Sequence, residues 1–214
     1  MKNEFFKRSL STIILIPFAF FFIINGSFLF NFFIILCLAI SAYEWHIMSK
    51  KKTYYILGLI FLFFSFYSIY LLRNKLFEGY YYLLFITTVC ISTDIGGYLF
   101  GNIFKGPKLT KISPKKTYSG VVGGYLLSIL SSFFLIKFLI IDSSLKLNTH
   151  LFIFSFFIST ISQLGDLVIS YFKRLSKIKD TGRLIPGHGG LLDRIDGMIF
   201  AFPFSYLILL TNLI

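Results

Sequence analysis

The sequence predicts an all-α, polytopic membrane protein with about seven transmembrane helices and a cytoplasmic N-terminus. Three observations predict it. Hydrophobic residues make up 56% of the 214 and charged residues only 14%, with a mean hydropathy of +0.79, a balance foreign to soluble domains of this length. The apolar residues gather in runs close to the roughly 20 residues that cross a bilayer. The basic residues fall in alternate connections between those runs.

The runs lie near 9–25, 27–43, 54–72, 80–104, 120–141, 151–172 and 197–213. The first follows Lys2, Lys7 and Arg8 as a signal peptide would, yet no small-x-small cleavage site follows near Asn25, so it reads as a retained span. Little more than Asn25-Gly26 separates it from the second run, which admits a helical hairpin. No linker, repeat or soluble domain interrupts the rest. The chain reads as one integral-membrane domain, with N-terminal helices over 1–79 and the chemistry-bearing motifs over 80–214.

A formal net charge of +12 raises nucleic acid as a partner, and the placement of the bases argues against it. One set of connections carries Lys2, Lys7 and Arg8, then Lys50 to Lys52, then Lys105, Lys108, Lys111, Lys115 and Lys116. The same set ends with Lys173, Arg174, Lys177, Lys179, Arg183 and Arg194. The alternate set carries Arg73, Lys75 and Lys146 alone, with Lys137 near the end of a run. That bias puts the N-terminus and the even loops in the cytoplasm and favours an odd number of spans. Cys37 and Cys90 fall inside apolar runs and read as packing residues.

Two acidic residues stand out against the apolar background. A carboxylate at mid-bilayer costs at least about 2.5 kcal/mol and faces the protein interior or a wet cavity. Asp94 and Asp166 both lie within such segments. Gly96 and Gly97 follow Asp94 and let another helix come close. Asp166, Ser170 and Lys173 recur at i, i+4 and i+7, on one helical stripe, with Asp166 roughly 10 Å beneath the end of its helix. Asp193 and Asp196 share a face if the last helix begins there. With Asp166 opposite, the three aspartates can hold a divalent cation through oxygen. The alternative for Asp193 is a plain helix cap. Glu44, before Trp45 and His46, reads as an interface marker, the lesser alternative being that it reaches the cavity.

Two basic segments on one face suit phosphate. Ser113, Lys115, Lys116 and Thr117 offer two ammonium groups and two hydroxyls at the start of a span, where backbone N–H groups add to them. The bland alternative is a positive-inside anchor containing a Ser-Pro turn. The second segment, Ser170 to Asp196, holds Lys173, Arg174 and Arg194 together with Pro186-Gly-His-Gly-Gly190, where His188 can donate to a phosphate oxygen, protonate a leaving group, or merely fill a turn. No P-loop, dinucleotide fingerprint, zinc spacing or nucleophile elbow is present.

The Ser170–Asp196 stretch resembles the C-terminal signature of phosphatidate cytidylyltransferases, also called CDP-diacylglycerol synthases. Ser170, Lys173, Arg174, Lys179, Asp180, Gly182, Pro186, His188, Gly189, Gly190, Asp193, Arg194 and Asp196 fill that pattern without a gap. Gly165-Asp166, the run 112–117 and the segment from Asp94 to Gly101 resemble further family elements, so the likeness covers about the second half of the chain. Departures are Gly97 in place of alanine, Asn102 in place of arginine, and Tyr118-Ser119 in place of tryptophan and glutamate.

The resemblance implies an enzyme that transfers CMP from CTP to phosphatidate, giving CDP-diacylglycerol and pyrophosphate. Mg²⁺ is the expected cofactor, with a second metal or a monovalent cation as a further possibility. On this reading Asp166, Asp193 and Asp196 bind the metal. Lys115, Lys116, Lys173 and Arg174 orient phosphates, with Ser113, Thr117 and Arg194 in support. Asp94 organises the nucleotide end, and His188 serves the departing pyrophosphate. The expected partners are CTP, phosphatidate, the lipid bilayer and a second copy in a homodimer, with no nucleic acid. The expected location is the bacterial cell membrane, with the site facing the cytoplasm. The rivals are another CTP-dependent lipid enzyme such as a polyprenol kinase, and a cation transporter that uses Asp94 and Asp166 as ligands.

Overall fold

The computed structural model describes residues 17–110, 112–139, 149–182, 184 and 189–211. Helices and connecting loops make up the fold, with no β-sheet among the described residues. Helix α1 covers 17–25 and α2 Ser27–Ser49. They are followed by α3 (Tyr55–Asn74), α4 (Gly79–Phe104) and α5 (Tyr118–Phe134), the last continued by a π turn over Leu135–Leu139. Then come α6 (Thr149–Leu175), the single-turn α7 (Leu192–Ile195) and α8 (Met198–Leu210).

Among the described residues, five helices are long and apolar enough to cross a membrane: Phe28–Ser49, Tyr55–Asn74, Gly79–Phe104, Tyr118–Phe138 and Thr149–Leu175. Of the other two expected spans, the first (9–25) is described only from residue 17 on, as α1. The last is the 13-residue α8, about 20 Å of helical rise against a hydrocarbon core of about 30 Å. The hairpin at the start is present. Gly26 takes a left-handed backbone (φ 62) and breaks the helix. Phe22 of α1 then stacks on Phe33 of α2 with centroids 4.7 Å apart, which a straight helix would forbid. Arg73 of α3 holds the break by donating from Nε to Ile23 O at 3.1 Å.

An apolar core that includes Phe30, Leu62, Phe85, Phe154 and Ile158 fills the interior, yet large apolar side chains also cover the outside. Phe28, Phe32, Ile35, Leu57, Phe63 and Leu130 face outward. Hydroxyl side chains join the helix contacts beside this core: Thr93 to Ser159 at 2.9 Å, Ser132 to Ser155 at 2.9 Å, and Ser65 donating to Ile199 O at 2.6 Å. Lipid supplies no hydrophobic drive between helices, so close approach and interhelical hydrogen bonds take over. Nowhere is that clearer than between α4 and α5. Gly96 and Gly97 lie against Gly123 and Gly120, and a Cβ on Gly120 would stand 2.7 Å from Gly97 O.

Helix α2 runs six residues past its expected end at 43, carrying Glu44 and Trp45 into the interior. The Trp45 indole donates from Nε1 to Tyr55 O at 3.0 Å and packs edge-on against Tyr54 and Phe172. Tyr54 in turn meets Ser176 at 2.8 Å, which ties α2 and α3 to the end of α6.

Candidate active site

Three segments meet at the α6 end that carries Lys173. The first is the connection between α4 and α5, folded as a narrow loop. Lys108 pairs with Thr117, and Leu109 N donates to Lys116 O at 2.8 Å. Thr117 caps α5 by accepting from Gly120 N at 3.1 Å. This fold carries Lys116 back over α6, where its Nζ lies 2.6 Å from Asp166 Oδ2 and 3.5 Å from Gln163 O.

The second segment is α6 itself. Ser170 donates to Asp166 Oδ1 at 3.2 Å, as expected for partners one turn apart. Lys173, a further turn on, reaches the third segment. Its Nζ stands 2.9 Å from Asp193 Oδ1 and 3.7 Å from Asp196 Oδ2. All three side chains are almost fully buried.

The third segment runs from Ile178 to Gly197. Asp193 Oδ2 accepts from Thr181 N at 2.8 Å and Gly190 N at 2.9 Å. With Lys173 on Oδ1, Asp193 already holds three donors. Gly189 sits beside it with φ 89, where a Cβ would stand 2.6 Å from Asp193 Oδ2. Asp196 differs. It accepts from its own neighbour Gly197 N at 3.0 Å and faces inward toward Asp166 and Lys173. Burial, and after it the charge of Asp166, push the Asp196 carboxyl well above the usual carboxylate range, while Lys173 pulls it down.

Asp94 on α4 is exposed and within electrostatic reach of Asp166, Lys116 and Arg194. Lys116, Asp166, Ser170, Lys173, Asp193 and Asp196 are thus brought together, with Asp94 and Arg194 at the edge. Arg174 points elsewhere. It donates to Ile112 O at 3.4 Å and Ile178 O at 3.2 Å, and with Pro114, Tyr171 and Leu175 it lines an outer depression. Lys115 is exposed, Ser113 is half-buried with its N–H on Thr110, and the Thr117 hydroxyl is engaged as a cap. His188 lies outside the described residues.

Among the described residues, no three acidic, histidine or cysteine side chains form a ready metal cage. Asp193 is a poor ligand in this arrangement, since three donors occupy it. Asp166 and Asp196 fit a hard cation better, being mutually repelling carboxylates with oxygen lone pairs to spare. Mg²⁺ is commonly bound by one or two carboxylates, with water and substrate phosphate completing the shell.

Sequence reasoning underrated Glu44. Its carboxylate is buried and accepts from Thr181 Oγ1 (2.9 Å), Leu191 N (2.8 Å) and Leu192 N (2.8 Å). The available signal was an acid at the end of an apolar run, with bulky aromatics beside it.

A family model described as the cytidylyltransferase family matches residues 51–211. The chain belongs to that family. A phosphatidate cytidylyltransferase of Rickettsia bellii is 36% identical over 215 residues, covering 97% of this chain and 91% of the relative. Relatives of the same name from Staphylococcus saprophyticus (42% over 134 residues) and Brucella suis (37% over 151) match 62% and 70% of this chain. The chain spans about half the length of these last two, 50% and 54%. The family match takes in every site residue above except Glu44, which precedes it.

Proposed function

We propose that the protein transfers the CMP group of CTP to phosphatidate at the membrane surface, forming CDP-diacylglycerol and releasing pyrophosphate. The observation that carries the reading is the meeting of two lysines, Lys116 and Lys173, with Asp166 and Asp196 at one end of the bundle. The names of the 36–42% identical relatives supply the substrate class.

The chemistry joins two polyanions. A phosphate oxygen of the lipid attacks the α-phosphorus of CTP, the bond from that phosphorus to the bridging oxygen of the β-phosphate breaks, and pyrophosphate leaves with the bonding pair. A phosphate monoester has a second pKa of about 6, so the attacking oxygen needs little help with its proton near neutral pH. Charge is the harder problem. Lys116 and Lys173 supply ammonium donors to phosphate oxygens, and their present carboxylate partners hold them until substrate arrives. Asp166 and Asp196 would hold a magnesium ion. When bound, it supplies charge neutralisation and alignment of the phosphates. Asp94 and Arg194 stand at the edge, where the nucleotide is placed in this reading. The positive-inside bias of the loops supports a site on the cytoplasmic face, where CTP is.

The test is an assay of the detergent-solubilised protein with labelled CTP, phosphatidate and Mg²⁺, with and without EDTA. CDP-diacylglycerol and pyrophosphate are expected, and only with the metal. Release of CDP with phosphorylation of a lipid alcohol would instead identify a kinase using the γ-phosphoryl group.

A further inference from the structure

Glu44 is a buried carboxylate that accepts from neutral donors: the Thr181 hydroxyl and the backbone N–H groups of Leu191 and Leu192. Those two N–H groups open α7, whose own N-cap position, Leu191, offers no capping side chain. A residue some 150 positions earlier in the chain therefore caps the turn that carries Asp193. The neighbouring N–H groups of Thr181 and Gly190 go to Asp193 itself. Between them, two carboxylates fix four backbone donors, at Thr181, Gly190, Leu191 and Leu192. Asp193 then holds Lys173, which also faces Asp196.

The loop is cut to admit this side chain. A Cβ at Gly190 would collide with Glu44 Oε2 and Thr181 Oγ1, and one at Gly182 would stand 2.8 Å from Glu44 Oε1. The end of α2 is anchored where Glu44 leaves it by Trp45, which packs on Phe172 and donates to Tyr55 O at 3.0 Å.

We propose that Glu44 is a positioning residue for the transfer reaction: it clamps Thr181 and the turn Gly190 to Leu192 so that Asp193, Lys173 and Asp196 keep their mutual register. It touches no substrate and acts through the loop. The proposal rests on the cytidylyltransferase reading above, and its test has one arm that does not.

Amide hydrogen exchange is measured on the full-length protein and on E44Q and E44A, alongside steady-state kinetics with CTP and phosphatidate. The near-isosteric E44Q guards against simple failure to fold. Peptides covering 181–192 are expected to exchange about ten-fold faster or more in both variants, while α3 and α5 stay protected. The kcat per folded enzyme is expected to fall at least about ten-fold, with KM for CTP within about two-fold, as for a misplaced catalytic group rather than a lost binding contact. G190A, which crowds Glu44 from the other side, is expected to reproduce both effects. Unchanged exchange over 181–192 in E44Q and E44A overturns the clamp whatever the enzyme turns over. Unchanged kcat per folded molecule in an active enzyme overturns the positioning role. A wild-type protein that makes no CDP-diacylglycerol overturns the functional reading and with it the positioning role, leaving exchange to decide the clamp.

Discussion

Lys116 and Asp166 form an ion pair of 2.6 Å between a polar loop and the body of a membrane helix. Neither residue belongs to the long C-terminal signature, yet together they bring a basic loop to the carboxylates of α6 and the α7 turn. On the proposed function, Lys116 would leave the aspartate for phosphate when substrate binds.

Replacing Lys116 with methionine removes a charge-assisted donor. Such bonds are worth about 1.5–3 kcal/mol, so KM for CTP rises by about ten-fold or more. Arginine at this position restores charge but not the compact ammonium, and recovers only part of the loss. Initial rates with CTP varied at fixed phosphatidate read both effects. A K116M enzyme with the wild-type KM and kcat would remove Lys116 from the site.

Asp193 and Asp196 look alike in sequence and differ in structure, which predicts different variants. Both Asn substitutions abolish turnover while leaving the protein inserted. D193N also turns an amide toward N–H donors at Thr181 or Gly190, or toward Lys173, so it loosens the loop and lowers the melting temperature. D196N keeps an acceptor for Gly197 N, leaves Lys173 its closer partner Asp193, and removes a carboxyl whose anion burial and Asp166 disfavour, so its melting temperature holds or rises. Paired thermal unfolding and activity measurements check the split. Equal destabilisation by both would mean that the two carboxylates share one structural role.

Much of this was legible in the sequence, and the residues say why. Period and charge bias give the membrane helices because lipid demands long apolar runs and the loops carry the asymmetry. The i, i+4 pairing of Asp166 with Ser170 follows from helix geometry alone. The continuation of the stripe to Lys173 leads instead to Asp193, a contact between residues 20 apart that no helical period announces. Glu44 was nearly invisible for the same reason. Its partners are backbone N–H groups of Leu191 and Leu192, and no side-chain pattern announces them. Thr117 reads as a phosphate hydroxyl and serves as a cap, two uses that draw on the same oxygen.

Lys173 stands between two carboxylates in an almost fully buried cluster. Removing one partner from a buried charge group costs about 3–5 kcal/mol. K173M is therefore expected to lower both the melting temperature and turnover, unlike K116M, whose partly exposed pair costs little stability. Suppression is the sharper check. Adding D193N to K173M should recover part of the lost stability, since the uncompensated charge goes with it. A double variant no more stable than K173M would show that the pair is energetically independent.

The glycine face between α4 and α5 sets how closely the helix bearing Asp94 approaches the helix that follows the Lys116 loop. Gly123 lies where any side chain would strike Phe100, and Gly96 where it would strike the Gly123 carbonyl. Substituting Gly123 with leucine forces the helices apart or bends them, and overpacking of this kind costs typically 1–3 kcal/mol. The consequence reaches the site, since α5 begins at the Thr117 cap immediately after Lys116. G123L is expected to lower the melting temperature and raise KM for CTP together, whereas a leucine at outward-facing Val122 changes neither. Thermal unfolding in detergent with CTP kinetics on the two variants separates helix spacing from bulk. A G123L protein with wild-type kinetics would show that the Lys116 loop keeps its place independently of how closely α4 and α5 pack.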